Sequence, residues 1–188
     1  MSLVPESYSK PFAEKKRLAL KIWPREILRK ELHVVEKLVT IQKTPLVVCH
    51  NDLLLANFLH DETNKKVTII DYEYLAPNPA AFDLANHFNE YAGTEEVDFS
   101  NVPDMKYKHW WIDQYLIEFY KKDIEQAERQ KWYYAVTLME PLSHLFWGIW
   151  ALMQAEISEI DFDYVTYAHQ RISEYFLLKN KLDIKFEN

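Results

Sequence analysis

Apolar side chains in the first part of the chain return at helical intervals. Ile27, Leu28, Leu32, Val35, Leu38 and Val39 follow one another at steps of 1, 4, 3, 3 and 1, the pattern of one buried helix face. A helix is therefore expected over 11–42, broken or re-aimed at Pro24, whose ring is incompatible with a helix interior. The pattern then changes. Leu46–Cys49 is a short continuous apolar run and predicts a strand. Residues 57–60 and 66–70 flank the polar segment Asp61-Glu62-Thr63-Asn64-Lys65 and predict a hairpin. A loop is expected around Pro77 and Pro79, then a helix over 80–91 with Pro79 in its first turn. Residues 93–105 read as a polar link, and from Tyr107 onward almost everything reads as helix. Breaks are expected near Lys122–Asp123, at Glu140-Pro141 and near Ser158–Asp161, with Asp161 or Asp163 capping the last helix. The order predicts an α+β, mainly helical fold with a small sheet element.

Composition narrows this picture. A chain of 188 residues, 48% hydrophobic and 15% aromatic, is long enough for one domain with a sizeable core. Residues 1–10 are read as a flexible or vector-derived start, and 11–188 as the domain. The net charge of −7, without a basic block, argues against nucleic acid as a partner. No stretch is apolar enough for stable membrane insertion, and the first residues lack the features of a signal peptide. Cys49 is the single cysteine. It excludes an internal disulfide framework and fits a reducing, cytoplasmic setting. Gly93 and Gly148 are the only glycines, 55 positions apart, so no glycine-rich phosphate loop can be written anywhere in this sequence.

The chemistry-bearing residues concentrate between His50 and Glu90. Asp52 and Asn57 are five residues apart after the first apolar run, and Asp71 ends the second. A carboxylate, an amide five residues on, and a carboxylate after a hairpin match what a phosphotransferase needs: a base and two oxygen ligands for Mg²⁺. Asp52 is the candidate general base, accepting a proton from an attacking hydroxyl; its plain alternative is an Asx-turn. Asn57 and Asp71 are candidate metal ligands, or else a turn amide and a strand-end cap. His50 is a loop-packing residue or a metal ligand. Glu73, two after Asp71, would share its face if the strand continues, there to reach a metal or orient a neighbour, or else it is simply solvated. Asp83 is expected to tie down the loop backbone. Glu90, two helical turns later, is either a surface residue or the partner of a cationic substrate. Trp147 and Trp150 share a helix face. They serve as core, or with Phe162 and Tyr167 as an aromatic wall that attracts an ammonium group.

Several of these segments together resemble the choline/ethanolamine kinase family. They are HNDLLLAN at 50–57, IDYEY at 70–74, N-x-x-x-F-D-x-x-N-H-F-x-E at 78–90 and HLFWGIWALMQAEIS at 144–158, followed by the Phe162 and Tyr167 segment. The resemblance covers about residues 45–180. It implies a protein-kinase-like large C-terminal lobe, with ATP as phosphoryl donor and Mg²⁺ as cofactor. The implied reaction phosphorylates ethanolamine or choline, the first step toward phospholipid precursors. It implies Asp52 as base, Asn57 and Asp71 as Mg²⁺ ligands, and Glu90, Trp147, Trp150, Phe162 and Tyr167 around the ammonium. Leu53-Leu54-Leu55 is closer to ethanolamine kinases. Nothing before residue 45 resembles the family's N-terminal lobe, so low turnover is expected of these 188 residues alone. Two alternatives stay open: a non-catalytic amine-binding or dimerising module, and a small-molecule kinase of the aminoglycoside type. A homodimer is a further expectation.

Overall fold

The computed structural model describes residues 13–182; the expected flexible start at 1–10 lies outside them. The chain forms two compact units, one made of residues up to Leu38 and from Pro141 onward, the other of Val39–Glu140.

In the first unit, α1 (Ala13–Ile22) and α2 (Arg25–Ile41) are separated at Trp23-Pro24, where the sequence placed the break. The helix α5 (Gln126–Ile157) contributes its second half, and α6 (Tyr164–Lys181) follows. Asp163 caps α6 by accepting from the Thr166 backbone N–H at 3.1 Å, resolving the choice between two aspartates. Leu28, Leu38, Leu145, Leu152, Ile172 and Tyr175 are buried in this unit. The helices α5 and α6 approach closely at Gly148, where an added Cβ would stand 2.5 Å from Ile172 Cγ1 and 3.3 Å from its backbone nitrogen. Between α2 and α6, Glu31 accepts from the Tyr175 hydroxyl and, at 2.6 Å, from Lys179 Nζ.

The second unit holds two small antiparallel sheets. In one, β1 (Leu46–Cys49) pairs with β4 (Ala76–Pro79), with Leu46 opposite Pro79 and Cys49 opposite Ala76. In the other, β2 (Phe58–Asp61) pairs with β3 (Lys66–Ile69). The β4 strand corrects the expected loop at Pro77 and Pro79. In a two-stranded sheet β4 has an open edge, where a residue without an N–H costs no ladder bond. Helix α3 (Ala80–Asn89) is buried at every residue but Asp83 and gives way to a 3₁₀ turn over Glu90–Ala92, earlier than the pattern suggested. Asp104 caps α4 (Met105–Tyr120). The helix ends at Lys121, whose left-handed backbone turns the chain.

The expected break at Pro141 does not occur: α5 runs unbroken through it. Proline there removes the bond that the Thr137 carbonyl would accept. Burial of Leu138, Met139, Leu142 and Leu145 on either side of the proline holds the helix together. The boundary between the two units nevertheless falls at this peptide. Just before it, Glu140 is buried against Lys108 of α4 at 2.7 Å, and its carbonyl accepts from Asn89 Nδ2 at 2.9 Å.

The β-rich segment keeps few of its apolar side chains inside. Leu46, Val48, Leu55, Leu59, Val67, Tyr72 and Leu75 are all exposed, whereas α3 buries Phe82, Leu84 and Phe88. Among the described residues no helix is long and apolar enough to cross a membrane.

Candidate active site

The loop between β1 and β2 is shaped by a side chain the sequence reading passed over. Asn51 has a left-handed backbone, φ 67°, a conformation asparagine tolerates better than most residues. Its Nδ2 donates to the Tyr74 carbonyl at 2.8 Å and the Cys49 carbonyl at 3.2 Å, and its Oδ1 accepts from Asn78 at 2.9 Å. The signal was available in principle: a chain nearly free of glycine must place other residues at its tight turns.

Asp83 clamps the same loop from α3. Its two carboxylate oxygens accept from the backbone N–H groups of His50 at 2.8 Å and Asn51 at 2.7 Å, the tethering role expected from its place in the sequence. Burial raises its pKa, and the two N–H donors oppose that shift. Cys49 beside it is inert: burial, then the Asp83 charge, push its thiol up to about 12.

With the loop fixed, Asp52 and Asn57 meet. Asn57 Nδ2 donates to the Asp52 backbone carbonyl at 2.9 Å and to its carboxylate at 3.2 Å. Asp71 is brought to the same place through Ile70. The Ile70 N–H donates to the Asn57 carbonyl at 3.0 Å, and the Ile70 carbonyl accepts from His50 Nε2 at 2.9 Å. His50 thus packs and hydrogen-bonds within the loop, with its ring 5.2 Å from that of Tyr72. Asp71 follows in a left-handed conformation, φ 64°, and its charge is felt at Asp52. Glu73 does not share a strand face with Asp71. β3 ends at Ile69, the chain turns with Leu75 N–H bonded to the Tyr72 carbonyl at 3.1 Å, and Glu73 is exposed. The turn replaces the period-2 geometry on which that expectation rested.

The electrostatics suit a base. Burial and then the Glu90 carboxylate raise Asp52 to about 6; the Asn57 amide and His50 oppose the rise, and Asp71 adds to it. At neutral pH Asp52 is mainly ionised, yet it holds a proton far more readily than an exposed aspartate. Glu90 is buried at the end of α3, close enough to act on Asp52. The donor set also fits a hard cation. Asn57 spends its amide nitrogen on Asp52, which leaves the oxygen as its ligand atom. With the Asp71 carboxylate it would give an oxygen-only donor set, which water and phosphate would have to complete. Among the described residues no three His, Cys, Asp or Glu side chains group as a metal cage.

The aromatic residues lie in the first unit and form a connected series. Trp147 and Trp150 stand 5.2 Å apart, Trp150 meets Tyr164 at 5.7 Å, Tyr164 meets Phe162 at 4.8 Å, and Phe162 meets Tyr167 at 5.7 Å. Tyr164, absent from the sequence reading, is the link. The Arg171 guanidinium lies 5.6 Å from the Tyr167 ring and donates to its hydroxyl at 3.2 Å. Tyr167 thus already contacts one buried cation of the protein itself.

The chain matches choline/ethanolamine kinase over residues 6–176. It is 38% identical over 184 residues to mouse ethanolamine kinase 1, covering 95% of this chain and 50% of the relative. It is 40% identical over 181 residues to ethanolamine kinase of Drosophila melanogaster, covering 95% and 35%. An ethanolamine kinase structure from Plasmodium vivax superposes with a TM-score of 0.80 at 29% identity, covering 94% of this chain and 46% of that one. The chain therefore spans about half the length, or less, of the relatives it matches. On the match along 6–176 and the relatives' identity, it belongs to the choline/ethanolamine kinase family.

Proposed function

We propose that this chain is the substrate- and metal-binding lobe, the large C-terminal one, of a kinase that moves the γ-phosphoryl group of ATP to ethanolamine. The observation that carries the reading is the bond from the Asn57 amide to the Asp52 carboxylate, with Asp71 tethered beside them through Ile70. Asp52 takes the proton of the attacking hydroxyl at its carboxylate, whose raised pKa makes it the stronger base. Asn57 and Asp71 would hold Mg²⁺, which when bound neutralises charge on the phosphate oxygens. Glu90 supplies negative charge near the base, suited to an ammonium with three N–H donors. A quaternary amine has no such donors and relies on aromatic faces, so the Glu90 carboxylate tilts the reading from choline to ethanolamine. Trp147, Trp150, Phe162 and Tyr167 supply aromatic surface of the kind that favours either amine.

Positioning and charge stabilisation supply most of phosphoryl-transfer catalysis. In these 188 residues the glycine positions allow no glycine-rich cover for the nucleotide. We expect slow turnover by this chain alone.

The test combines calorimetric titration of ethanolamine and choline with phosphorus NMR of product from ATP and Mg²⁺. Ethanolamine binding, with slow phosphoethanolamine formation that Asp52→Asn abolishes, is the expected result. No binding of either amine and no product would refute the function. Turnover in the usual kinase range of about 1–100 s⁻¹ would refute the expectation of a slow chain. Exposed Leu46, Val48, Leu59 and Val67 favour self-association into a homodimer, which light scattering would read.

A further inference from the structure

Asp83 on α3 and Glu90 just past its end are legible in the sequence, but His87 between them is not. His87 stands four residues after Asp83 and three before Glu90, so the three share one stripe of the helical turn sequence. His87 is buried, and its Nδ1 lies 3.0 Å from the Leu53 carbonyl. A carbonyl only accepts, so Nδ1 carries the proton. The His87 ring stands 5.3 Å from Phe58, 5.3 Å from Tyr91 and 5.3 Å from Trp111. Leu53 follows Asp52 and Phe58 follows Asn57. His87 therefore touches the loop at the residue directly after each of the two side chains that meet in the site.

We propose that His87 is a positioning residue, which sets the separation of Asp52 and Asn57 by donating to the Leu53 carbonyl while its ring braces Phe58. The stripe then divides the loop among its members. Asp83 holds the backbone of His50 and Asn51, His87 holds the backbone after Asp52, and Glu90 acts on the Asp52 charge. Burial lowers the His87 pKa, the Leu53 carbonyl and the charges of Glu90 and Asp83 opposing. The neutral ring is therefore the working form, with Nδ1–H the tautomer its neighbour demands. The inference rests on the phosphotransfer reading above, because only that reading makes the Asp52–Asn57 separation matter.

Two substitutions separate a donor from a packing ring. His87→Phe keeps an aromatic ring and loses the N–H. His87→Asn loses the ring but places an amide nitrogen at the depth of Nδ1. The probe is Mn²⁺ alone, its bound fraction read by electron paramagnetic resonance, with circular dichroism confirming that each variant folds. We expect His87→Phe to weaken Mn²⁺ by about 10–100-fold, as loss of a ligand-orienting partner does. His87→Asn should bind at least about fivefold more tightly than His87→Phe, the worth of one hydrogen bond. The reverse order, with the phenylalanine variant near the wild type, would mean that the ring only packs, and the inference fails. Asp71→Asn is the control. If it leaves Mn²⁺ binding unchanged, or if the wild type binds none, the metal-site reading itself falls and takes the inference with it. A measurement without any variant stands beside these: long-range proton–nitrogen NMR of the histidine rings should show Nδ1–H at His87, and an Nε2–H ring there would overturn the proposal.

Discussion

Asp52→Asn should make the protein more stable while removing the base of the proposed phosphoryl transfer. Asp52 is buried beside Glu90 and Asp71, so its charged form is disfavoured in the folded state and its pKa rises from 3.8 to about 6. The folded state then binds a proton more tightly than the unfolded one. Stability contributed by this group is full below 3.8, falls as pH rises toward about 6, and is lost above that. At 1.36 kcal/mol per pH unit the penalty at neutral pH is on the order of 3 kcal/mol. Asparagine has nearly the same shape, carries no charge, and keeps an oxygen to accept from Asn57. Thermal melts of both proteins in metal-free buffer from pH 4 to 8 are the assay. The variant should match the wild type near pH 4 and exceed it by about 6–12 °C at pH 7–8, at about 2–4 °C per kcal/mol for a chain of this size. If the proposed function holds, the phosphotransfer rate should fall by roughly 10²–10⁴. Melting curves that run parallel across the whole pH range would refute the reasoning, since they would mean that the charge on Asp52 costs the fold nothing.

Other parts of the fold make separate predictions. Asp83→Ala strips the acceptor from two loop N–H groups and should cost about 2–4 kcal/mol in urea unfolding; a loss below about 1 kcal/mol would show that the clamp is dispensable. Lys108→Met leaves Glu140 buried without its partner and should cost about 3–5 kcal/mol at neutral pH. Because burial already raises Glu140, that loss should shrink as the pH is lowered, and adding Glu140→Gln should restore most of it; unfolding curves of the single and double variants decide. Gly148→Ala drives a methyl group against Ile172 and should lower stability by about 1–3 kcal/mol, with scanning calorimetry as the check.

Local pattern was enough for most of the helices and for the short strand before the site. Steps of three and four mark α2, Pro24 marks its start, and the β-branched run Val67–Ile70 marks the hairpin arm. These signals depend on near neighbours in the chain, which is why they are legible there. Two of the failures involve distant partners, and the third a local turn. Ala76–Pro79 carries two prolines and reads as a loop, yet it is a strand because β1 offers it a partner. Pro141 reads as a helix break, yet packing of the flanking turns keeps α5 whole. Glu73 reads as a neighbour of Asp71 only if the strand continues, and it does not.

The site divides in the same way. Residue types and spacing pick out Asp52, Asn57 and Asp71 as candidates, because oxygen ligands and a base in that order are what the proposed phosphoryl transfer would need, and Asp83 as a tether of the loop; Glu90 joins them only through the family resemblance. The pKa of Asp52, the left-handed turn at Asn51, the His50–Ile70 tether and the grip of His87 on Leu53 were decided by tertiary structure. Each depends on burial or on a hydrogen bond across 20 or more residues, and such contacts leave no periodic trace in a sequence. The linear order determined which atoms the protein has for its chemistry; folding alone decided their separations and their charge.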